Sequence, residues 1–525
     1  MTKAGGHLFI INGDVQKLAC DAWLLPTDEN LTVTPSFAAA IEDRVTPYGD
    51  GDFKVENFTW NGSAIGICKE SMDGEPAIWL ADVGVAPFDA KSTESVVNKE
   101  VSEWFGRRAG EFVRLAAAEA TTRGAIRPIV ALPIIGSGDG GLSEHRGKLL
   151  KGLLSAIYEA LETTDCDVVL VAWGRVAYAA AQQARRDLME SAQPDPFFAL
   201  EQRHLSEAKR LANEAKNANL VVFIGAGVSA QAGLPNWQLL LDGVAKNLEW
   251  SGNIEELHQL DERDQATVLA KFASSPEKFD QAVATALEGN SYALLHGLIS
   301  SLPVDEFVTT NFDTLFEQSA ETGGRTLRVL PRDSVEAGRR WLVKIHGDLG
   351  SDVVLTRSQY IGAGFEKGAL LGLVQALLLT RHILFVGYGL RDDDFHALMR
   401  EVRSAFDSAK KPDKLGTVLN LFENEAFTSL WHDLYVGSFG DYGDGAEAVR
   451  DASRKLSIFL DYVGFESASK ISFLLEKTYD GLGSGEMEEL VSAIRALKRV
   501  KENNDLDEGL RAELNAFLAR FEDVV

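Results

Sequence analysis

Residues 219–237 read Asn-Leu-Val-Val-Phe-Ile-Gly-Ala-Gly-Val-Ser-Ala-Gln-Ala-Gly-Leu-Pro-Asn-Trp, and this stretch decides the fold. Leu220 to Ile224 is a short apolar run rich in β-branched residues, which reads as a buried strand of a parallel sheet. Gly225, Ala226 and Gly227 follow at once, then Ser229, Gly233 and Pro235. A strand that ends in glycine and opens into a helix offers backbone N–H groups at a positive helix end. The missing Cβ atoms let a pyrophosphate come close. Ala230 stands where the third glycine of Gly-x-Gly-x-x-Gly belongs, so the generic dinucleotide fingerprint is not met. Taken alone, such glycines make an ordinary tight turn.

Three downstream blocks change that weighing. In Phe307-Val308-Thr309-Thr310-Asn311-Phe312-Asp313 an apolar strand ends in polar side chains, at the edge where open α/β sheets bind ligands. An Asn followed two residues later by Asp is otherwise a common helix cap. In Trp341-Leu342-Val343-Lys344-Ile345-His346-Gly347 another strand ends in a histidine. Its imidazole is suited to take a proton at neutral pH, although a lone His beside an apolar run is more often structural. In His382-Ile383-Leu384-Phe385-Val386-Gly387-Tyr388-Gly389-Leu390 a third strand ends in glycines, and Asn420 closes a later apolar run.

Together and in this order the blocks resemble the sirtuin-like superfamily over roughly residues 218–435. The first matches its Gly-Ala-Gly-x-Ser and Gly-hydrophobic-Pro nucleotide loop. The second is similar to Thr-Gln-Asn-Ile-Asp, with Thr310 for Gln and Phe312 for Ile. By resemblance, Asn311 orders a ribose and a water, Phe312 and Asp313 hold the nicotinamide amide, and His346 is the catalytic base. Gly225, Ala226, Gly227, Ser229, Gly233, Pro235, Thr310, Gly387, Tyr388, Gly389 and Asn420 complete the implied NAD contacts. Gly389 replaces a usual Ser.

Residues 1–190 alternate strand-like and helix-like segments, an α/β layer pattern. Leu8–Ile11, Ala22–Leu25, 64–68, Ala77–Val83, Pro128–Leu132 and Val168–Ala172 read as strands; 97–120, 144–161 and Arg175–Leu188 read as helices. Asp14 follows the first strand, and Gly136-Ser137-Gly138 lies between a strand and a helix. These positions resemble a macro domain, in which Asp14 would read an adenine amino group and Gly136, Ser137 and Gly138 would hold ribose and phosphate. The family's Asn-Ala-Ala-Asn segment is replaced by Pro26-Thr27-Asp28-Glu29-Asn30. A regulatory nucleotide site is therefore expected, without hydrolysis there.

The expected architecture is α/β: a macro-like domain at 1–190, a linker at 191–200 carrying Pro194 and Pro196, a Rossmann-type sirtuin-like domain at 201–440 and a small helical C-terminal region at 441–525. A net charge of −26 argues against a nucleic-acid surface. No secretory leader and no membrane span are expected, and the compartment reads as cytoplasmic. Cys20, Cys68 and Cys166 are far apart, so neither a zinc ribbon nor another metal site is expected.

The resemblance therefore implies an NAD hydrolase that depletes NAD in antiphage defence. NAD is its substrate, and an ADP-ribose-derived nucleotide gates it. The arrangement is similar to the effector of the Thoeris system, with a homo-oligomer and a defence partner protein as further expectations. The alternatives are an NAD-dependent protein deacylase and a non-catalytic reader of ADP-ribose or NAD. The deacylase is weakened because no cysteine follows Cys166, and because Asn236-Trp237-Gln238 stands where that family has Asp-Phe-Arg. Erosion at Asn311 or His346 would mark the reader, and both residues are present.

Overall fold

The computed structural model describes all residues other than 1–4, 49–50, 57–58, 61–64, 71–74, 84–93, 138–144, 192–194, 323–324, 336–338, 350–352, 367, 407–413, 442, 444, 475, 480, 484, 502–505 and 519–525. The chain forms two units: 1–199 with 322–325 and 468–525, and 200–321 with 326–467. Among the described residues no helix is long and apolar enough to cross a membrane.

The first unit is built on a seven-stranded sheet in the order Leu8–Asn12, Asp167–Ala172, Ile129–Pro133, Ala22–Thr27, Ala77–Asp82, Ile65–Lys69, Thr59–Trp60. The first five strands run parallel and the last two pairings are antiparallel. Each strand and helix expected from the hydrophobic pattern is present, with ends moved by a few residues. Asp167–Ala172 is buried throughout, as its unbroken apolar run requires. Thr32–Val33, Val45–Tyr48 and Asp52–Val55 add a small antiparallel sheet that periodicity did not disclose, because these strands are short and half-exposed.

All seven strands of the second unit are parallel: Leu327–Leu330, Arg340–Lys344, Glu306–Thr309, Leu220–Ile224, His382–Val386, Gly416–Phe422, Leu434–Gly440. Leu220–Ile224 has Glu306–Thr309 on one side and His382–Val386 on the other. The chain fills one flank and then crosses to the other, which makes this the topological switch point where such sheets open a crevice. Residues 261–287 form two helices, Glu262–Phe272 and Pro276–Ala286. Pro276 sits at the first position of the second helix, with Ser275 capping it, so the break follows from proline's missing donor.

The C-terminal region is helical, and its two parts go to different units. Ala446–Ser467 belongs to the second unit. Phe473, Leu474, Tyr479, Ile494 and Leu518 join the first unit's core beside Leu149 and Leu153. Lys151 Nζ donates to Gly481 O at 2.8 Å and pairs with Asp187 at 2.6 Å, and Gly483 N donates to that carboxylate at 3.0 Å. Deleting residues 468–525 should therefore expose apolar surface on the first unit. Limited proteolysis should then cut within residues 1–199 well before 200–467. Equal resistance of the first unit in full-length and truncated protein would contradict this packing.

Candidate active site

Parallel pairing brings the sequence blocks together. Ile224 pairs with Thr309 and with Val386, and Thr309 pairs with Lys344. The residues that follow each strand, Gly225, Thr310, His346 and Gly387, therefore emerge along one carboxyl edge. Asn420 lies one residue past the last pairing of its strand with His382–Val386, at the level of Gly387.

Three buried side chains, Ser229, Asp313 and His296, meet the half-buried Asn311 beneath this edge. Asn311 Nδ2 donates to Ser229 Oγ at 3.1 Å, and Ser229 Oγ donates to Asp313 Oδ2 at 2.9 Å. His296 Nε2 lies 3.3 Å from the same Ser229 oxygen. Asp313 Oδ1 accepts from the Leu315 N–H at 3.1 Å, the capping role that an Asp before a helix often takes. Asn311 Oδ1 is buried and has no hydrogen-bond partner among the described residues. An unsatisfied buried acceptor costs about 1–3 kcal/mol and calls for a donor from outside the protein.

His346 is buried, its ring 6.4 Å from Phe312 and 5.3 Å from Tyr360. The Trp237 ring meets Phe312 edge-on at 6.1 Å, and the Arg263 guanidinium covers Tyr360 at 4.3 Å. Below them the Lys344 side chain is fully buried. Its Nζ donates to Phe312 O (3.1 Å), Asp313 O (2.8 Å), Glu317 Oε1 (2.7 Å) and Asp348 Oδ1 (2.8 Å). Burial pushes the Glu317 carboxyl above the usual carboxylate range, against the pull of that ammonium. The lysine thus fixes the main chain that carries Asn311.

The glycines have a packing role of their own. Gly225 N donates to Val386 O and Gly227 N to Gly387 O, both at 2.9 Å. A Cβ on Gly225 would fall 2.4 Å from Gly387 O, and one on Gly387, whose φ is +65°, would fall 2.6 Å from Val228 N. The two loops interlock, so the N–H groups of Gly225, Gly227 and Val228 are satisfied inside the protein. Ala226, Gly227 and Gly389 remain exposed on the rim, and Pro235 is half-buried. Gly233 takes φ +82° as a left-handed cap. Tyr388, expected at the nucleotide, stacks its ring on Phe223 at 4.4 Å and donates to Asp392 at 2.6 Å, so only its backbone faces the rim loop.

In the first unit, Asp14 caps a short 3-10 turn, accepting from Gln16 N at 3.0 Å. Gly136 has φ +79°, and a Cβ there would meet the Phe105 ring at 2.6 Å. Ser137 Oγ donates to Ile134 O at 2.7 Å, and Gly138 lies outside the described residues. Trp173 directly follows the strand beside the Asp14 loop and is 64% exposed. Sequence reading passed over it, although an aromatic just beyond a strand's carboxyl end is a visible sign. His296, Lys344, Trp237 and Tyr360 were missed as well.

The stretch that carries these residues is similar to a known family. Residues 305–434, which carry Asn311, Asp313 and His346, match the family model described as a SIR2-like domain. Among curated proteins, the chain is 27% identical over 242 residues to defense-associated sirtuin 2 of Bacillus subtilis, covering 44% of this chain and 24% of that one. It is 29% identical over 196 residues to NAD(+) hydrolase ThsA of Cytobacillus dafuensis, covering 35% and 38%. The matches thus span well under half of those relatives' own lengths. Among solved structures, an Oceanobacillus iheyensis macrodomain with ADP covers 37% of this chain and 96% of its own, at 14% identity and a TM-score of 0.24, too slight a likeness to bear on function.

Removing the Lys344 ammonium leaves the buried Glu317 carboxyl without its counter-charge, while Asp348 keeps Arg332 at 2.8 Å; breaking such a buried pair typically costs about 3–5 kcal/mol. Lys344→Met should lower the urea-unfolding free energy of the second unit by that order, and an unchanged midpoint would refute the staple. A pH effect follows from two histidines. Burial lowers the pKa of His296, and burial with Arg210 nearby lowers that of His382 to about 3. Unfolded histidine titrates near 6.5, so below that pH the unfolded chain binds protons that the folded one refuses. Stability should fall as pH drops from about 6.5 toward 4, and His382→Gln should flatten the slope. An identical slope in that variant would remove His382 as its source.

Proposed function

We propose that the second unit hydrolyses NAD, cleaving the bond between nicotinamide and ribose. The observation that carries this reading is the buried Asn311 Oδ1, without a hydrogen-bond partner among the described residues and set at the same sheet edge as His346. A carbonyl oxygen there can accept a hydrogen bond from a ribose hydroxyl or from the attacking water. The water oxygen bonds to the anomeric carbon as the bond to the nicotinamide nitrogen breaks, and nicotinamide leaves with that electron pair. The water's proton passes to the His346 imidazole and then to solvent, giving ADP-ribose, nicotinamide and a proton. The activity in the name of the ThsA relatives, NAD(+) hydrolase, agrees with this chemistry.

The wider role in this reading is NAD depletion during antiphage defence, in keeping with the name of the Bacillus subtilis relative. The acting form is a cytoplasmic homo-oligomer, with a defence partner as a further component. No metal takes part. Asn311→Ala and His346→Ala should each lower nicotinamide release by about 10²–10⁴-fold while the melting temperature stays near that of the parent. Parent-like turnover in a folded His346→Ala protein would sink the assignment.

An NADase left on would harm its host, so the resting enzyme is held inactive and a nucleotide of the ADP-ribose type at the first unit releases it. Going from about 1% to 99% active needs a differential affinity of roughly 10⁴, or about 5.5 kcal/mol. Support comes from Asp14 and Trp173, which follow two adjacent parallel strands at their carboxyl ends. Asp14→Ala and Trp173→Ala should weaken ADP-ribose binding in calorimetry by about tenfold or more, the scale of a lost charge-assisted or stacking contact. If the parent protein binds neither ADP-ribose nor its cyclic relatives, the first unit is scaffold. Gly136 is a poor probe, because any side chain there strikes Phe105.

A further inference from the structure

His296 lies fifteen residues before Asn311 in sequence, yet the two converge on one atom. It occupies the third position of the helix Leu294–Ser301 and reaches back to the helix start, where its Nδ1 accepts from the Ala293 N–H at 3.1 Å. A nitrogen that accepts cannot carry the proton, so in the neutral ring the proton is on Nε2. Nε2 then donates to Ser229 Oγ across 3.3 Å. The Ser229 hydroxyl has one proton and two lone pairs. Its proton goes to Asp313, and His296 fills one lone pair. The second lone pair can only receive a donor, so Asn311 must present Nδ2, as it does at 3.1 Å. Its Oδ1 is thereby turned away from Ser229, and it is the atom left without a partner among the described residues.

We infer that His296 is a positioning residue: acting through Ser229, it fixes the orientation of the Asn311 amide so that the carbonyl oxygen faces the bound substrate. This rests on the NAD reading for its consequence and on ligand-free geometry for its mechanism. Burial supports it, since His296 and Ser229 are 0% and 2% exposed and water cannot replace either donor. Burial also keeps the ring neutral, which preserves the single Nε2 proton.

Asparagine-selective ¹⁵N labelling of the ligand-free full chain tests the mechanism. The Asn311 side-chain signal is assigned by its loss in Asn311→Ala, and His296→Ala and Ser229→Ala should both shift it. An unmoved signal in His296→Ala overturns the inference, whatever NAD does. The consequence is read in turnover. His296→Ala should lower kcat by about tenfold or more with KM little changed, but should add less than about twofold in a Ser229→Ala background. His296→Gln, which can accept at the helix start and donate to Ser229, should recover most of the loss. Equal losses in both backgrounds would mean a merely structural role and refute the relay. A parent protein that releases no nicotinamide, while the amide signal behaves as expected, would fail the hydrolase reading alone.

Discussion

A single ammonium group, Lys344 Nζ, ties the second unit's site together. It has three protons and four acceptors: two carboxylates and the main-chain carbonyls of Phe312 and Asp313. Carbonyls at the end of a strand would otherwise turn toward water, taking the loop with them. The buried charge is costly in itself, and apolar replacement of such a cluster is often neutral or stabilising. What the cluster provides is one fixed path for residues 310–313, and that path puts Asn311 and Asp313 on either side of Ser229. Everything above the sheet edge depends on that path.

The glycine loops solve a matching problem on the neighbouring strands. Strands in a sheet stand close to 4.8 Å apart, so two loops leaving adjacent strands collide unless one side lacks side chains. Gly225, Gly227 and Gly387 remove them, and the loops then bond to each other through their backbones. Glycine at these positions follows from this interlock even before any ligand is considered. A nucleotide would meet what the interlock leaves exposed, Ala226, Gly227 and Gly389 on the rim.

Much of this was legible in the sequence, because local signals were enough. Buried parallel strands show as unbroken apolar runs, and polar residues just beyond them marked the carboxyl edge at Asn311, Asp313 and His346. What stayed hidden depended on partners distant in sequence. Lys344 looks like a strand-end lysine bound for solvent, and only the neighbouring strand shows that it turns inward. His296 sits in a helix start with no Ser or Thr cap to flag it. Tyr388 carries a motif position, yet Phe223 and Phe395 draw its ring into the core. Likewise the pattern after residue 467 shows helices without showing that they complete the first unit's core.

In the proposed reaction, water attacks NAD at the edge carrying Asn311 and His346. The most direct measurement is to incubate the full chain with NAD in ¹⁸O-enriched water and weigh the products by mass spectrometry. The account predicts free nicotinamide and ADP-ribose carrying one ¹⁸O atom, absent when Asn311 is replaced by Ala. Cyclic product without label, or labelled ADP-ribose formed equally well by a folded Asn311→Ala protein, would contradict it.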